Sequence, residues 1–206
     1  TPAMRDGARM AFDEASNSGN LLGGETFSIH EADSTCVDAA AATAAAEGLV
    51  ADGVVAIMGA DCSGVTKAIN ASVAVPNGIL MVSPSATSPA LSSVPDNGTF
   101  WRTAPSDAKG GQVLAQIALD RGITSIAITY ENSDYGKGLS EVFAASFSSG
   151  GGTVTTNDPH ENGKGDYSAE VGVLASAGGD ALAVLGYLDQ AGGKIVQGAL
   201  DSGAFD

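Results

Sequence analysis

Hydrophobic positions along this chain recur in two alternating rhythms. Met4, Ala8, Ala11, Phe12 and Ala15 stand three and four residues apart, the stripe of an amphipathic helix. "TFSIHEAD" (26–33) alternates apolar with polar and predicts a strand. The Ala-rich stretch 37–51 predicts a helix closed by Gly53. "VVAIMG" (54–59) is a short buried strand, followed by a helix over 63–75 and a second buried strand, Ile79 to Val82. A Pro-, Ser-, Asp- and Gly-rich segment (83–98) leads to a short strand, "FWRT" (100–103). "PSD" (105–107) then opens a helix capped by Ser106 or Asp107, with Val113, Leu114, Ile117 and Ala118 as its expected buried stripe. The rhythm continues with strand 125–130, helix 134–148 (Leu139, Val142, Phe143, Phe147), strand 153–156, helix 166–177, strand 181–185 and helix 188–202.

Strands separated by helical segments predict an α/β architecture with parallel sheets and helices on both faces. Two such runs, joined near 103–106, predict two lobes: residues 1–104 and residues 105–206. In open parallel sheets ligands bind beyond the carboxyl ends of the strands. That rule singles out "GADCSG" after 54–59, "SPSATS" after 79–82, "ENSDYG" after 125–130 and "GYLDQ" after 181–185. A cleft between the lobes would carry Ser and Thr on one side, Tyr135 and Tyr187 on the other.

Those residue types suit a zwitterion. Ser63 opens a helix, where free N–H groups and the dipole favour a carboxylate. Backbone carbonyls of Ser85 and Ala86 beside the Thr87 hydroxyl suit an ammonium, and the Thr87 N–H can help with the carboxylate. Tyr135 and Tyr187 offer flat apolar area with a polar rim. Each feature also has a plainer reading: Ser63 as a helix cap, the serine loop as a self-bonded turn, Tyr135 as a packing residue. Ser83, Ser88, Ser92 and Ser93 are expected only to shape and solvate the turn.

Charge and cysteine content narrow the partners. The 206 residues carry 24 acids against 9 bases, a net charge of −15, which argues against nucleic acid and anionic membrane surfaces. No apolar run is long enough to span a bilayer. Cys36 and Cys62 allow one intramolecular pairing, and whether they bond is open at this level. If they do, the closed loop of roughly 27 residues stabilises the fold by about 3–4 kcal/mol in the chain-entropy estimate. Dinucleotide, P-loop and hydrolase-elbow motifs are missing. His30 and His160 show no metal-ligand spacing, and a Cys36 nucleophile with His30 has little support. No cofactor or metal is expected, and an α/β enzyme is disfavoured. "NAS" (70–72) and "NGT" (97–99) match glycosylation sequons, but Asn70 lies in a predicted helix and reads as a chance match.

"ADSTCVDAAAATAAAEGLVADGVVAIMGADCSGVTKAINASVAVPNGILMVSPSATSPALS" resembles the first lobe of the periplasmic leucine/isoleucine/valine-binding protein family. "FWRTAPSDAKGG", "ITYENSDYGKGLSEVF" and "AVLGYLDQAGGKIVQGALDSG" resemble its crossing into the second lobe and the next two strand–helix units. The resemblance spans nearly the whole chain, with the paired cysteines, "SPSATSP" and "DYGKG" as its most specific parts. It implies the type I periplasmic binding fold: two doubly wound parallel-sheet lobes, with the chain truncated at both ends. It further implies a Cys36–Cys62 disulfide, an oxidising periplasmic location after export, and a monomer that passes its ligand to the membrane permease of an ABC importer. Ser63 matches the serine that takes the ligand carboxylate. Ser85, Ala86 and Thr87 match the loop that binds ammonium and carboxylate, with Ser85 in place of an alanine that acts through its backbone. Tyr135 and Tyr187 match the aromatic residues that close over the ligand. The family's first-strand loop and its ammonium-binding acid have no counterpart in this sequence. The function implied is binding of a branched-chain or other aliphatic amino acid. Alternatives are a sensor module of the same fold, or a receptor for amides, urea or aromatic acids.

Overall fold

The computed structural model describes residues 2–205, and its chain divides into two compact units. One comprises residues up to Ser85 together with Pro95–Thr103; the other comprises Ala86–Val94 and everything from Ala104 onward.

In the first unit, α1 (Pro2–Asn17) turns the half-buried Met4, Ala8, Phe12 and Ala15 to one side, while Ala11 is exposed. Helix α2 (Ala39–Ala51) starts where the Asp38 carboxylate accepts the N–H groups of Ala40 and Ala41. It ends at Gly53, which is at φ 84°, a conformation that favours glycine. Strands β1 (Ala56–Met58), β2 (Leu80–Ser83) and β3 (Phe100–Arg102) form a parallel sheet in that order, in register at Ile57–Met81 and Val82–Trp101. Between β1 and β2 the chain crosses over through α3 (Ser63–Ile69), a wider turn (Asn70–Ala74) and α4 (Val75–Asn77). In that turn Val75 N–H reaches back five residues to Asn70 O. The widening comes one residue before Pro76, which has no N–H and whose ring crowds the preceding turn. Asn70 is 1% exposed there, so the first sequon is sealed in the core.

The strand expected over 26–33 does not form. The segment runs as irregular chain with Phe27 and Ile29 exposed, and none of the described strands pairs with it. Alternation sets the two faces of a strand, but a strand exists only when a neighbour takes its N–H and C=O groups. Here the segment's links run instead to α1 and to the end of α2: Phe27 N–H donates to Ser16 Oγ at 3.0 Å, the Phe12 and Phe27 rings lie 4.9 Å apart, and His30 Nδ1 lies 3.4 Å from Asp52 Oδ2. Cys36 and Cys62 form a disulfide, their Cα atoms 5.3 Å apart, which ties the start of α2 to the start of α3.

The second unit is built around β4 (Ser125–Glu131), flanked by β5 (Thr153–His160) and β6 (Ala181–Leu185), all parallel. One face of β4 buries Ile126 and Ile128 against Ala115 and Ala118 of α5 (Asp107–Asp120) and Leu139, Phe143 and Phe147 of α6 (Asp134–Ser149). The other face buries Ala127 against Val171 and Leu174 of α7 (Ser168–Ala177) and Ile195 and Ala199 of α8 (Gly193–Ser202). Period-two alternation along β4 thus feeds two helical layers. At the edge where the strands begin, the exposed Asp180 carboxylate accepts from Thr124 N–H, Thr124 Oγ1 and Ser125 N–H, which hold its pKa down at about 2.

Ser106 caps α5 by accepting from Ala108 N–H. The stripe expected on that helix needs correcting. Ala118 is buried, but Val113, Leu114 and Ile117 are 43%, 42% and 44% exposed. The buried line is Gly111, Ala115 and Ala118. Small side chains let the α5 backbone approach α6 closely: a Cβ built on Gly111 would lie 2.8 Å from Val142 Cγ1 and 3.0 Å from Phe143 N. Segment 86–94 packs with this unit because Thr87 O accepts the Asp107 N–H at 2.9 Å and Pro89 abuts Gly138 of α6.

Neighbouring glycines in α5 give a direct test of this packing. Gly110 has only Asp107 Oδ1, at 3.7 Å, near its missing Cβ. Gly110→Ala is expected to raise stability by up to about 1 kcal/mol through helix propensity. Gly111→Ala is expected to lower it by about 1–3 kcal/mol through overpacking. Urea denaturation of the two variants checks both signs.

Candidate functional site

In the first unit, Ser63 is the first residue of α3 and is 2% exposed. The chain reaches it from the β1 end through Asp61 and Cys62. The Ser85 hydroxyl donates to the Asp61 backbone carbonyl at 2.8 Å and to the Asp61 carboxylate. Its proton is therefore committed, and what Ser85 offers a ligand is backbone. Ser83 is fully buried and donates to Ala60 O at 2.6 Å, strapping the end of β2 to the loop after β1. Ser88 is buried too. Ser83 shapes the loop as expected, but both serines are buried, so neither solvates it. Asp61 thus links the loops that carry Ser63 and Ser85, a role that composition and spacing did not reveal.

In the second unit, Ala86 is 1% exposed and Thr87 is half-buried. The Thr87 carbonyl is taken by the N–H of Asp107, which fixes the loop against the start of α5. Tyr135, on the first turn of α6, stacks on Tyr187 with ring centroids 5.1 Å apart and planes inclined by 26°. Tyr187 stands just past β6 at the start of a wide turn (Leu188–Gly192), and its residue remains 36% exposed. Burial, with the charges of Asp107 and Glu131 behind it, pushes the Tyr135 phenol pKa up, so the ring stays neutral at physiological pH.

Three residues of this unit escaped the sequence reading. Asp107, seen there only as a helix start, has a buried Oδ2 with no hydrogen-bond partner among the described residues. An acid in a first helical turn is ordinary, so no pattern separates a capping acid from a binding one. Glu131 ends β4 and is 4% exposed; its Oε2 accepts the Tyr187 N–H at 3.3 Å. His160 ends β5 beside it, 1% exposed. The Thr129 hydroxyl donates to Asp158 O at 3.0 Å, so it accepts at 2.9 Å from His160 Nδ1, which carries the proton. His160 Nε2 is buried and has no hydrogen-bond partner among the described residues. Among the described residues, no cluster of His, Cys, Asp and Glu has the makings of a metal site.

A family model described as periplasmic binding protein matches residues 1–204. The chain belongs to that family. A Leu/Ile/Val-binding protein of Rhizobium johnstonii is 32% identical over 92% of this chain and 51% of its own length. A second, homolog 3 of Brucella melitensis, is 34% identical over 72% of the chain and 40% of its own. The chain thus spans about half the length of the curated relatives it matches, or less. Among solved structures, the branched-chain amino acid transporter substrate binding protein LivJ from Streptococcus pneumoniae, in complex with isoleucine, superposes with a TM-score of 0.83. It is 26% identical, covering 98% of this chain and 57% of that one. A leucine binding protein from Thermotoga maritima gives 0.82 at 26% identity, covering 93% and 54%. The resemblance to the leucine/isoleucine/valine-binding proteins and the type I periplasmic binding fold therefore hold. No helix among the described residues is long and apolar enough to cross a membrane.

His160 is expected to make the second unit sensitive to acid. Burial lowers its pKa below 6.5, and the opposing charges of Glu131, Glu170 and Glu161 do not reverse the sign. A folded-state pKa below the unfolded value means that the unfolded chain takes up the proton first as pH falls. The contribution is whole above about pH 6.5 and is lost below it. Melting temperatures between pH 7 and pH 5 are expected to fall for the native chain, and less steeply for His160→Gln. Parallel curves would show that His160 does not titrate with unfolding.

Proposed function

We propose that this chain is the solute-binding component of an ABC importer and takes a branched-chain or other aliphatic amino acid. What carries the reading is the family match along nearly the whole chain, with Leu/Ile/Val-binding relatives and branched-chain amino acid-binding structural neighbours. On this reading the protein works as a monomer in the periplasm, delivers its ligand to a membrane permease and performs no catalysis.

The site chemistry supports a zwitterion. In this proposal Ser63 and the Thr87 N–H take the α-carboxylate, and the backbone carbonyls of Ser85 and Ala86 with the Thr87 hydroxyl take the ammonium. The stacked Tyr135 and Tyr187 cover the apolar side chain. The charge that an ammonium needs comes from Asp107, whose buried, unpartnered carboxylate oxygen accompanies the Thr87 carbonyl bound to its own N–H. On this reading these groups act on one ligand, and exclusion of water around it strengthens each charged hydrogen bond.

Isothermal titration of the chain against leucine, isoleucine, valine, alanine, an amide, urea and an aromatic acid tests the assignment. Heat with one or more aliphatic amino acids is expected, and Asp107→Asn is expected to weaken binding roughly ten- to hundredfold. An aromatic acid without an ammonium would bind with no such penalty. Binding of that acid alone would replace the amino-acid reading, and silence with every ligand would sink it.

A further inference from the structure

The carboxylate of Glu131 is almost wholly removed from water, yet among the described residues its side chain accepts only one hydrogen bond, from a backbone N–H. Burying an acid costs free energy that one such bond does not obviously return, so an apolar residue of like shape would serve stability at least as well. Its position explains the choice better. Above Glu131, the chain turns directly into α6: Ser133 N–H donates to Glu131 O at 2.7 Å, and a Cβ on Gly136 would lie 2.2 Å from that same oxygen. Tyr135 lies between these two, next to Gly136. Beside Glu131, the chain leaves β6: a Cβ on Gly186 would lie 2.9 Å from Glu131 Cβ, and the Tyr187 N–H reaches Oε2. One residue thus touches both turns that carry the aromatic pair, its backbone under one and its side chain under the other.

We propose that Glu131 is a positioning residue that holds Tyr187 stacked on Tyr135, so that the aromatic wall of the ligand site is formed before ligand arrives. The inference rests on the amino-acid-binding reading for its functional meaning, but its structural half concerns the tyrosines alone. The two glycines belong to the same device: no side chain fits at Gly136 or Gly186 without pushing Glu131 off one of the turns. Glu131 itself need not touch the ligand. Preorganisation of this kind removes an ordering cost from binding and leaves contacts unchanged.

The test uses Glu131→Leu, which removes the acceptor, Glu131→Gln, which keeps an acceptor oxygen on the same frame, and Tyr187→Ala. Near-ultraviolet circular dichroism of the ligand-free proteins reports the stacked tyrosines, while far-ultraviolet spectra confirm that each variant folds. Glu131→Leu is expected to lose the same near-ultraviolet component as Tyr187→Ala, and Glu131→Gln to keep it. With leucine as ligand, Glu131→Leu is expected to weaken binding about tenfold. In the Tyr187→Ala background it is expected to add no further loss, because Glu131 acts through Tyr187. A purely structural role predicts additive losses in that cycle. A native near-ultraviolet spectrum for Glu131→Leu, or additive losses, overturns the proposal. If the native chain binds no amino acid, the functional reading fails and the spectra still decide where Glu131 holds Tyr187.

Discussion

Parallel strands cannot be joined by a tight turn. Each must send the chain back along a helix before the next begins, and that one requirement organises both units. Within each unit, the loops that leave the carboxyl ends of the strands gather on one side. Asp61 and Ser85 are joined there in the first unit, after β1 and β2; Glu131 and Tyr187 are joined in the second, after β4 and β6. The site residues are widely spaced in sequence and neighbours in each sheet. The helices pack the opposite faces, which leaves the strand ends free of core duties.

Much of this was legible because periodicity records which side of an element is buried. The strand expected over 125–130 forms as β4, and both of its faces are covered by helices, as alternating strands and helices predict. Leu139, Phe143 and Phe147 lie at helical spacing and are buried as a line. The failures share a cause as well. Alternation in 26–33 was real, but pairing depends on a neighbour that a local window cannot see. On α5 the larger apolar side chains drew attention away from Gly111 and Ala115, whose smallness is what allows the close helix contact. Helix periodicity also ran unbroken through the wide turn before Pro76, since hydrophobic spacing is blind to a single added residue in a hydrogen-bonded turn.

The candidate residues divide in the same way. Ser63, Ser85, Ala86, Thr87, Tyr135 and Tyr187 stood out by type and place at strand ends. Asp61, Asp107 and Glu131 did not, because an acid at the surface and an acid folded under a loop look alike in a chain with 24 of them. In the fold, among the described residues, Asp107 keeps a buried oxygen without a partner and Glu131 serves a single backbone N–H. Natural sequences tolerate such local inconsistencies at places where binding, rather than folding, sets the requirement. Both acids act on Tyr135, whose pKa is raised by burial first and then by their charges.

On the proposed function, a zwitterionic ligand is held by Asp107 and the loops around it, with its side chain against Tyr135 and Tyr187. A crystal structure of the protein with whichever amino acid binds most tightly tests this most directly. The ammonium is predicted to lie within hydrogen-bonding distance of an Asp107 oxygen, with the aliphatic chain packed on the tyrosine rings. A ligand seated elsewhere, for instance against α1 of the first unit, with Asp107 unengaged, would contradict it.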